Sequence, residues 1–483
     1  MSKLNDSLED AVTDFVVNSD HIRLDDKVLD CVRLILKDQM ALQVGAAELP
    51  WSRACRQYAG ERSQPGRSTI AGESSLVDAY TAAFVNAIYG HGMQYDDVLS
   101  ASSGHPGSCA IPAALAIAED MGASIGETVR AIVTGYEVYS RIGILAAPTL
   151  IERGWHPHCI LSNFGAAAIA ARMWKLDRTQ TFHALALAAS HASGSTEYTS
   201  TGGMSKRVHP GIGVQNGLRA AAMARAGITG PERFLTGIKG FFRTFTEKEL
   251  GPQAANDFSV DGVPQILQVW IKPYCCCAAT HGAIDAMRVF RSRIADVARI
   301  EVRVPTKSNR VVGNFNKHIY APRSMTELMF SLPVQVALAL LGKGNGYRTH
   351  LSFLDGKLDL SESGEILELA RRVTVIEASE WDREYEEKWV SEVAVFFQDG
   401  TSQRMFIEDS KGTPLNPLSE EEFREKFFDL ANEPLGQQGA ESLFSAIDAL
   451  DLVAPIDTLT RYMRRADPPL PKPLARTAVK HPS

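Results

Sequence analysis

Up to about residue 268 this chain offers almost no stretch in which polar and apolar residues alternate, whereas helix-length runs rich in alanine and glycine follow one another. Helical patterning falls at 7–17, 25–44, 75–90, 110–122, 125–143, 179–192 and 212–226. In the second run Val28, Leu29, Val32, Ile35, Leu36 and Ala41 form one apolar stripe behind an aspartate cap. Such helices, with small residues at their contacts, must bury their faces against one another. Residues 46–73 read as irregular and polar. Alternation begins only later, at 299–305, at 373–378 and in a hairpin over 392–408 that turns at Asp399-Gly400. Helix returns from Ser419 to about 465, before a proline-rich, basic tail over 467–483.

The fold class that follows is mostly α. Both chain ends, 1–268 and 416–483, form a large all-helical domain, and a smaller α+β domain is inserted at 269–415. At 483 residues the chain exceeds one ordinary core. A net charge of −7 argues against a nucleic-acid surface but leaves room for a small anionic substrate, since a pocket needs only a few local cations. No run of about 18 apolar residues is present, so no membrane span is expected. The N-terminus is acidic and lacks the apolar core of a leader peptide. Seven scattered cysteines suit reduced thiols in a cytoplasmic setting, and the run Cys275-Cys276-Cys277 lacks zinc-site spacing and reads as small buried side chains.

Four stretches place ionisable groups beside helix ends: Asp96-Asp97 with His105, Trp155-His156-Pro157-His158, Lys206-Arg207-Val208-His209, and Lys272-Pro273-Tyr274 with His281. Helix starts favour anions. Histidines, a lysine and a carboxylate pair suffice to move a proton next to a substrate carboxylate. Three other readings compete. His156 and His158 with Asp96 and Asp97 have ligand types for a divalent metal. Ser205-Lys206 superficially suits pyridoxal phosphate, but the usual doubly wound sheet is missing. The glycines around Lys343 lack the P-loop pattern and suit a helix end. Taken singly, His91 and His209 read as structural residues and Lys272 as a solvated charge.

In order along the chain, His91–Asp97 with His105-Pro106, Arg153-Gly-Trp-His156-Pro before Phe164-Gly-Ala-Ala-Ala, Gly203-Met-Ser-Lys206-Arg-Val-His209-Pro-Gly, Lys272-Pro-Tyr-Cys with His281, and Phe330-Ser-Leu-Pro resemble the MmgE/PrpD family. That family includes 2-methylcitrate dehydratases, cis-aconitate decarboxylases and iminodisuccinate epimerases. The resemblance spans about residues 10 to 463. It implies a helical domain with an α+β lid, a homodimer, and catalysis without a metal or organic cofactor. It also implies catalytic roles for His105, His156, Lys206 and Asp96, and substrate contacts from Gln94, Asp97, Arg207, His281 and Tyr320. Gln94 stands where the family often has an acid, and Val98 where it often has threonine; a glutamine cannot accept a proton as a base.

The activity expected is that of a lyase, a dehydratase or decarboxylase of a small di- or tricarboxylic acid such as 2-methylcitrate or cis-aconitate. Lys206 would hold a carboxylate while His105 and His156 serve as base and acid. An epimerase of a dicarboxylic acid such as iminodisuccinate would use the same proton abstraction. A non-catalytic helical binding protein is the alternative of another class.

Overall fold

The computed structural model describes residues 7–385 and 388–465, so the tail expected over 467–483 lies outside the described residues. The helical part is organised around Pro157–Met173, of which every residue but Arg172 is buried. Ile125–Ala146 packs on one side of it and Ser205–Arg225 on the other. The second contact depends on glycine. A Cβ on Gly213 would strike the Cys159 carbonyl, and one on Gly217 the Asn163 carbonyl oxygen. Side-chain caps start many of the helices. Asp25 accepts from the Val28 N–H, Asp78 from that of Thr81, and Ser124, Asp177 and Ser419 form capping boxes with Glu127, Gln180 and Glu422.

The late alternating segments form a four-stranded sheet. Val297–Val304 runs parallel to Val373–Glu377 and antiparallel to Ser391–Phe397, which pairs in turn with Ser402–Ile407 at the edge. His281–Val289 and Leu332–Leu340 pack beside this sheet. The chain then returns to the first helices. Glu420–Ala449 lies along Asp26–Ala46, where Lys426 Nζ meets Asp38 at 2.5 Å. The N–H groups of Ile125 and Gly72 donate to the carbonyls of Ala454 and Met463, each at 2.8 Å. The protein is therefore mostly α with a small α+β part.

Three local expectations change. Residues 46–73 contain a helix, Pro50–Gly60, and a short strand, Pro65–Thr69, which pairs with Leu76–Val77 just beyond them. That helix buries only Trp51, Ser52 and Ala59 and is polar overall, which is why the segment read as polar. Helix begins at Pro157, not Gly165, and at Ser205, not 212. Both shifts involve proline: Pro157 occupies the first turn, where no N–H is needed, and Pro210 is tolerated inside its helix. Among the described residues no helix is long and apolar enough to cross a membrane, and all seven cysteines are free.

Candidate active site

The helices Ala79–Gly90 and Gly107–Met121 enclose a loop that turns its polar groups inward. Asp96 Oδ2 accepts from His91 Nδ1 at 2.8 Å and from Ser108 Oγ at 2.7 Å. Its Oδ1 has no hydrogen bond and stands 3.6 Å from His105 Nδ1. Asp97 faces away. It accepts from the Gly107 N–H at 2.9 Å, from the Tyr136 hydroxyl at 2.8 Å and from Gln39 Nε2 at 3.3 Å, while a Cβ at Gly107 would collide with its carboxylate. The two adjacent carboxylates thus have separate tasks. Asp97 shapes the loop, and Asp96 faces the imidazoles.

Hydrogen-bond accounting assigns the tautomers. A carbonyl can only accept, so His105 Nδ1 donates to the Asp97 carbonyl at 2.8 Å, and the neutral ring keeps a bare Nε2. Ser108 gives its one proton to Asp96, so His158 Nε2 donates to Ser108 Oγ at 3.0 Å. His158 Nδ1 then accepts from Tyr139 OH at 2.8 Å, and that hydroxyl accepts the His105 N–H at 3.0 Å. Both nitrogens of His158 are committed. His156, the N-cap of its helix, shares one proton with His209 across a 2.8 Å Nδ1–Nδ1 contact. Ring centroids of His91 lie 4.9 Å from His105, 4.7 Å from His158 and 6.2 Å from His156, so two distant stretches of chain supply one cluster.

Cations face this cluster. Lys206 is 6% exposed, makes no hydrogen bond or ion pair among the described residues, and lies 4.9 Å from the Phe330 ring and 5.8 Å from that of Tyr198. Arg207 stacks 4.9 Å over Trp51, touches only Met329 Sδ through Nη2, and leaves buried Nη1 unpartnered. Lys272 is 1% exposed and donates to the Gln94 carbonyl at 2.8 Å. It is a buried cation and not the solvated charge its sequence suggested. The Val98–Trp270 pair, bonded both ways at 2.8 Å, brings it there. Gln94 holds a left-handed backbone, with φ 57°, and its buried Nε2 has no partner.

Burial is the largest influence on every imidazole here, and it disfavours the charged form. It depresses His105 to about 3 and His209 to about 4, with Lys206 acting in the same direction on both. His156 and His158 are pushed well below their ordinary value. Burial also opposes ionisation of Asp96, but His105, His91 and Lys272 together hold it well below the usual carboxylate range. Asp97 rises to about 7 through burial and the repulsion of Asp96 and Asp38. Lys206 falls well below its ordinary value because it is buried beside Arg207 and Lys272.

Among the residues expected at the site, His105, His156, Lys206, Arg207, Asp96 and Gln94 converge. Asp97 contributes its carbonyl and holds the loop. The other two have partners of their own. His281 is fully buried between Trp270 and Tyr274, at 5.3 and 5.1 Å, where the charges of Lys272 and Lys426 act on it. Tyr320 donates its hydroxyl to the Val373 carbonyl at 2.9 Å and so serves the sheet. Sequence reading takes His209 as structural and Lys272 as solvated, and so keeps both out of the expected site. A clue to the first was its spacing, since Lys206 and His209 lie three residues apart on one helix face.

A metal on His156 and His158 is not assembled, because His158 has no free nitrogen. His91, Asp96 and His105 do place one ligand atom each within 4.8 Å of one another. Yet the His91 nitrogen nearest the carboxylate is a hydrogen-bond donor, and Lys206, Arg207 and Lys272 surround the group. That field repels a cation and attracts an anion.

The neutral imidazoles also predict acid sensitivity. Groups whose folded pKa is depressed below the unfolded value bind fewer protons when folded, so stability falls as pH drops below about 6.5. Asp97, raised in the fold, acts in the opposite sense between its unfolded value and about 7. For His105, His209, His350 and Asp97, stability should fall by about 3 kcal/mol between pH 6.5 and 5. His91, His156, His158 and His281 add to the loss, and Asp38, Glu137 and Asp285 subtract from it. Urea unfolding at the two pH values measures the sum; equal or higher stability at pH 5 would contradict neutral buried histidines.

Comparison with known proteins agrees with the order of these motifs. The MmgE/PrpD N-terminal domain matches residues 10–253, and the MmgE/PrpD C-terminal domain matches residues 274–452. A cis-aconitate decarboxylase of Aspergillus terreus is 26% identical over 456 residues, 90% of each chain. Those of Mus musculus and Homo sapiens are each 25% identical, over 84% and 86% of this chain and 83% and 85% of their own. With both domains matched in order over most of its length, the chain belongs to the MmgE/PrpD family.

Proposed function

We propose that this protein is a lyase that removes CO2 or water from a small di- or tricarboxylic acid of the cis-aconitate or 2-methylcitrate type, using its own side chains. One observation supports this reading: an ionised carboxylate bound to imidazole faces buried cations, two of which, Lys206 and Arg207, have no carboxylate partner among the described residues. A buried cation without a counter-ion is costly unless a ligand completes it. A polycarboxylate supplies that charge. The names of the relatives in the family support the same class of substrate.

In this reading Lys206 and Arg207 hold one carboxylate and Lys272 stabilises charge developing on the adjacent carbon. His105 presents a bare Nε2 to take a proton, with its orientation fixed by the Asp97 carbonyl. Asp96 stabilises the imidazolium that forms, and His156 delivers a proton. Because His91, Asp96 and His158 are wholly buried, substrate enters when the α+β part moves away from the helices, and its return excludes water. A homodimer and a cytoplasmic location complete the proposal.

Proton NMR in D2O with citrate, 2-methylcitrate, cis-aconitate and iminodisuccinate tests the assignment. Loss of substrate with a new vinyl or methylene signal is expected. Deuterium exchange without net loss of CO2 or water would make the protein an epimerase instead. Thermal stabilisation by these acids with neither product nor exchange would make it a binding protein.

A further inference from the structure

His209 is the one imidazole in the cluster that stands outside it. Among the described residues its ring meets only those of His156, at 4.9 Å, and Tyr198, at 5.9 Å, whereas His156 also reaches His91 and His158. The 2.8 Å contact joins Nδ1 to Nδ1. Two neutral imidazoles can make that bond only when one carries the proton and the other accepts it, so their tautomers are opposite and coupled. His156 Nε2 and His209 Nε2 have no hydrogen bond among the described residues, so the pair has two open ends. One belongs to the ring that faces the cluster and the other to the ring that lies away from it. Local structure holds both rings. His156 donates its N–H to the Gly194 carbonyl at 2.9 Å, and a Cβ on Gly194 would sit 3.5 Å from His209 Cε1. The charged or titratable groups that act on the pair are Lys206, His91 and His158.

We infer that His209 is a positioning residue that relays a solvent proton to His156, and that the chemistry this relay serves is decarboxylation. The inference rests on the lyase reading above. Dehydration is proton-neutral: the proton taken from carbon is matched by the one given to the departing hydroxyl. Decarboxylation is not. When the C–C bond breaks, CO2 leaves without the electron pair, and the carbon left behind must gain a proton from outside a buried site. The relay supplies it. His156 gives its Nε2 proton to that carbon, the Nδ1 proton of His209 crosses to His156 Nδ1, and water or a dissolved buffer acid replaces the proton at His209 Nε2. Only N–H, O–H and C–H bonds change in the relay. Both rings are neutral before and after, with the hydrogen bond between them reversed. When the site opens to release product, water protonates His156 Nε2, the Nδ1 proton returns to His209, and the His209 Nε2 proton leaves to solvent, which restores the starting tautomers.

His209→Ala and His209→Gln, made in the full chain and assayed with cis-aconitate by CO2 release, test this. We expect His209→Ala to lower kcat by about 10- to 100-fold with KM within twofold, and added imidazole to restore part of the rate in a saturable way. His209→Gln can make the hydrogen bond but cannot pass a proton, so it should stay slow. Full activity in the Gln variant, or no imidazole response in the Ala variant, would overturn the relay and leave His209 a structural partner. If His209→Ala does not fold, the Gln variant decides alone: a rate within twofold of the parent overturns the relay, and a slow, folded enzyme supports it. A parent protein that releases no CO2 defeats the decarboxylation reading itself, and the relay falls with it.

Discussion

Lys206→Met should abolish turnover and make the protein more stable. The side chain is 6% exposed, and no hydrogen bond or ion pair holds its ammonium among the described residues. Arg207 is adjacent in sequence, and the charges of Arg207 and Lys272 both oppose its protonation. A group buried in this way destabilises the fold, and its replacement by an apolar side chain of similar length removes that penalty. We expect a gain of about 1–2 kcal/mol at pH 7 in denaturant unfolding. Loss of the carboxylate anchor should cost at least about 1,000-fold in kcat/KM, because the interaction strengthens as charge develops. The opposite signs are the informative part. A structural lysine would lose stability on replacement, and a spectator would lose nothing.

Lys426→Met should have the opposite effect on stability. Lys426 lies on the helix that returns from the C-terminal side, and its ammonium contacts Asp38 at 2.5 Å and the Tyr95 carbonyl at 2.8 Å. It also stands 4.1 Å from the Tyr95 ring. Both charged side chains are almost wholly buried. Burial raises Asp38, with Lys426 pulling against it, so removing the lysine leaves a carboxylate that must protonate or remain uncompensated. Breaking one member of such a pair costs about 3–5 kcal/mol. The double variant Asp38→Asn with Lys426→Met should recover most of that loss, since the unmatched charge goes with it. If the single variant is as stable as the parent, the return of this helix does not hold the two chain ends together through that pair. Tyr95 precedes Asp96, so loosening it should also lower activity, though less than loss of Lys206.

Much of the site was readable because a few residue types are informative at close spacing. Lys206-Arg207 follows a glycine- and serine-rich passage, and Asp96-Asp97 with His105 sits between two alanine-rich runs. What misled was solvation. Lys272 looked like an ordinary surface charge, since nothing near it in sequence announces the Gln94 carbonyl that receives it or the Val98–Trp270 pair that carries it inward. Tyr320 was expected at the site from the family resemblance alone, and its hydroxyl donates to the Val373 carbonyl. Asp96 and Asp97 could not be told apart by position. Only Tyr136, Gly107 and Gln39 on one side and His91 with Ser108 on the other separate a loop-shaping carboxylate from a working one.

Taken alone, the amino-acid order determined the helix-rich class, the late appearance of strands and the residue types available for proton transfer. Those properties follow from local periodicity, capping and composition, which act over a few residues. Tertiary structure decided which of those groups meet, which nitrogen of each histidine is bare, and which cations lack a counter-ion. These depend on contacts between segments tens to hundreds of residues apart, where burial and one hydrogen-bond partner set the charge and tautomer of each group.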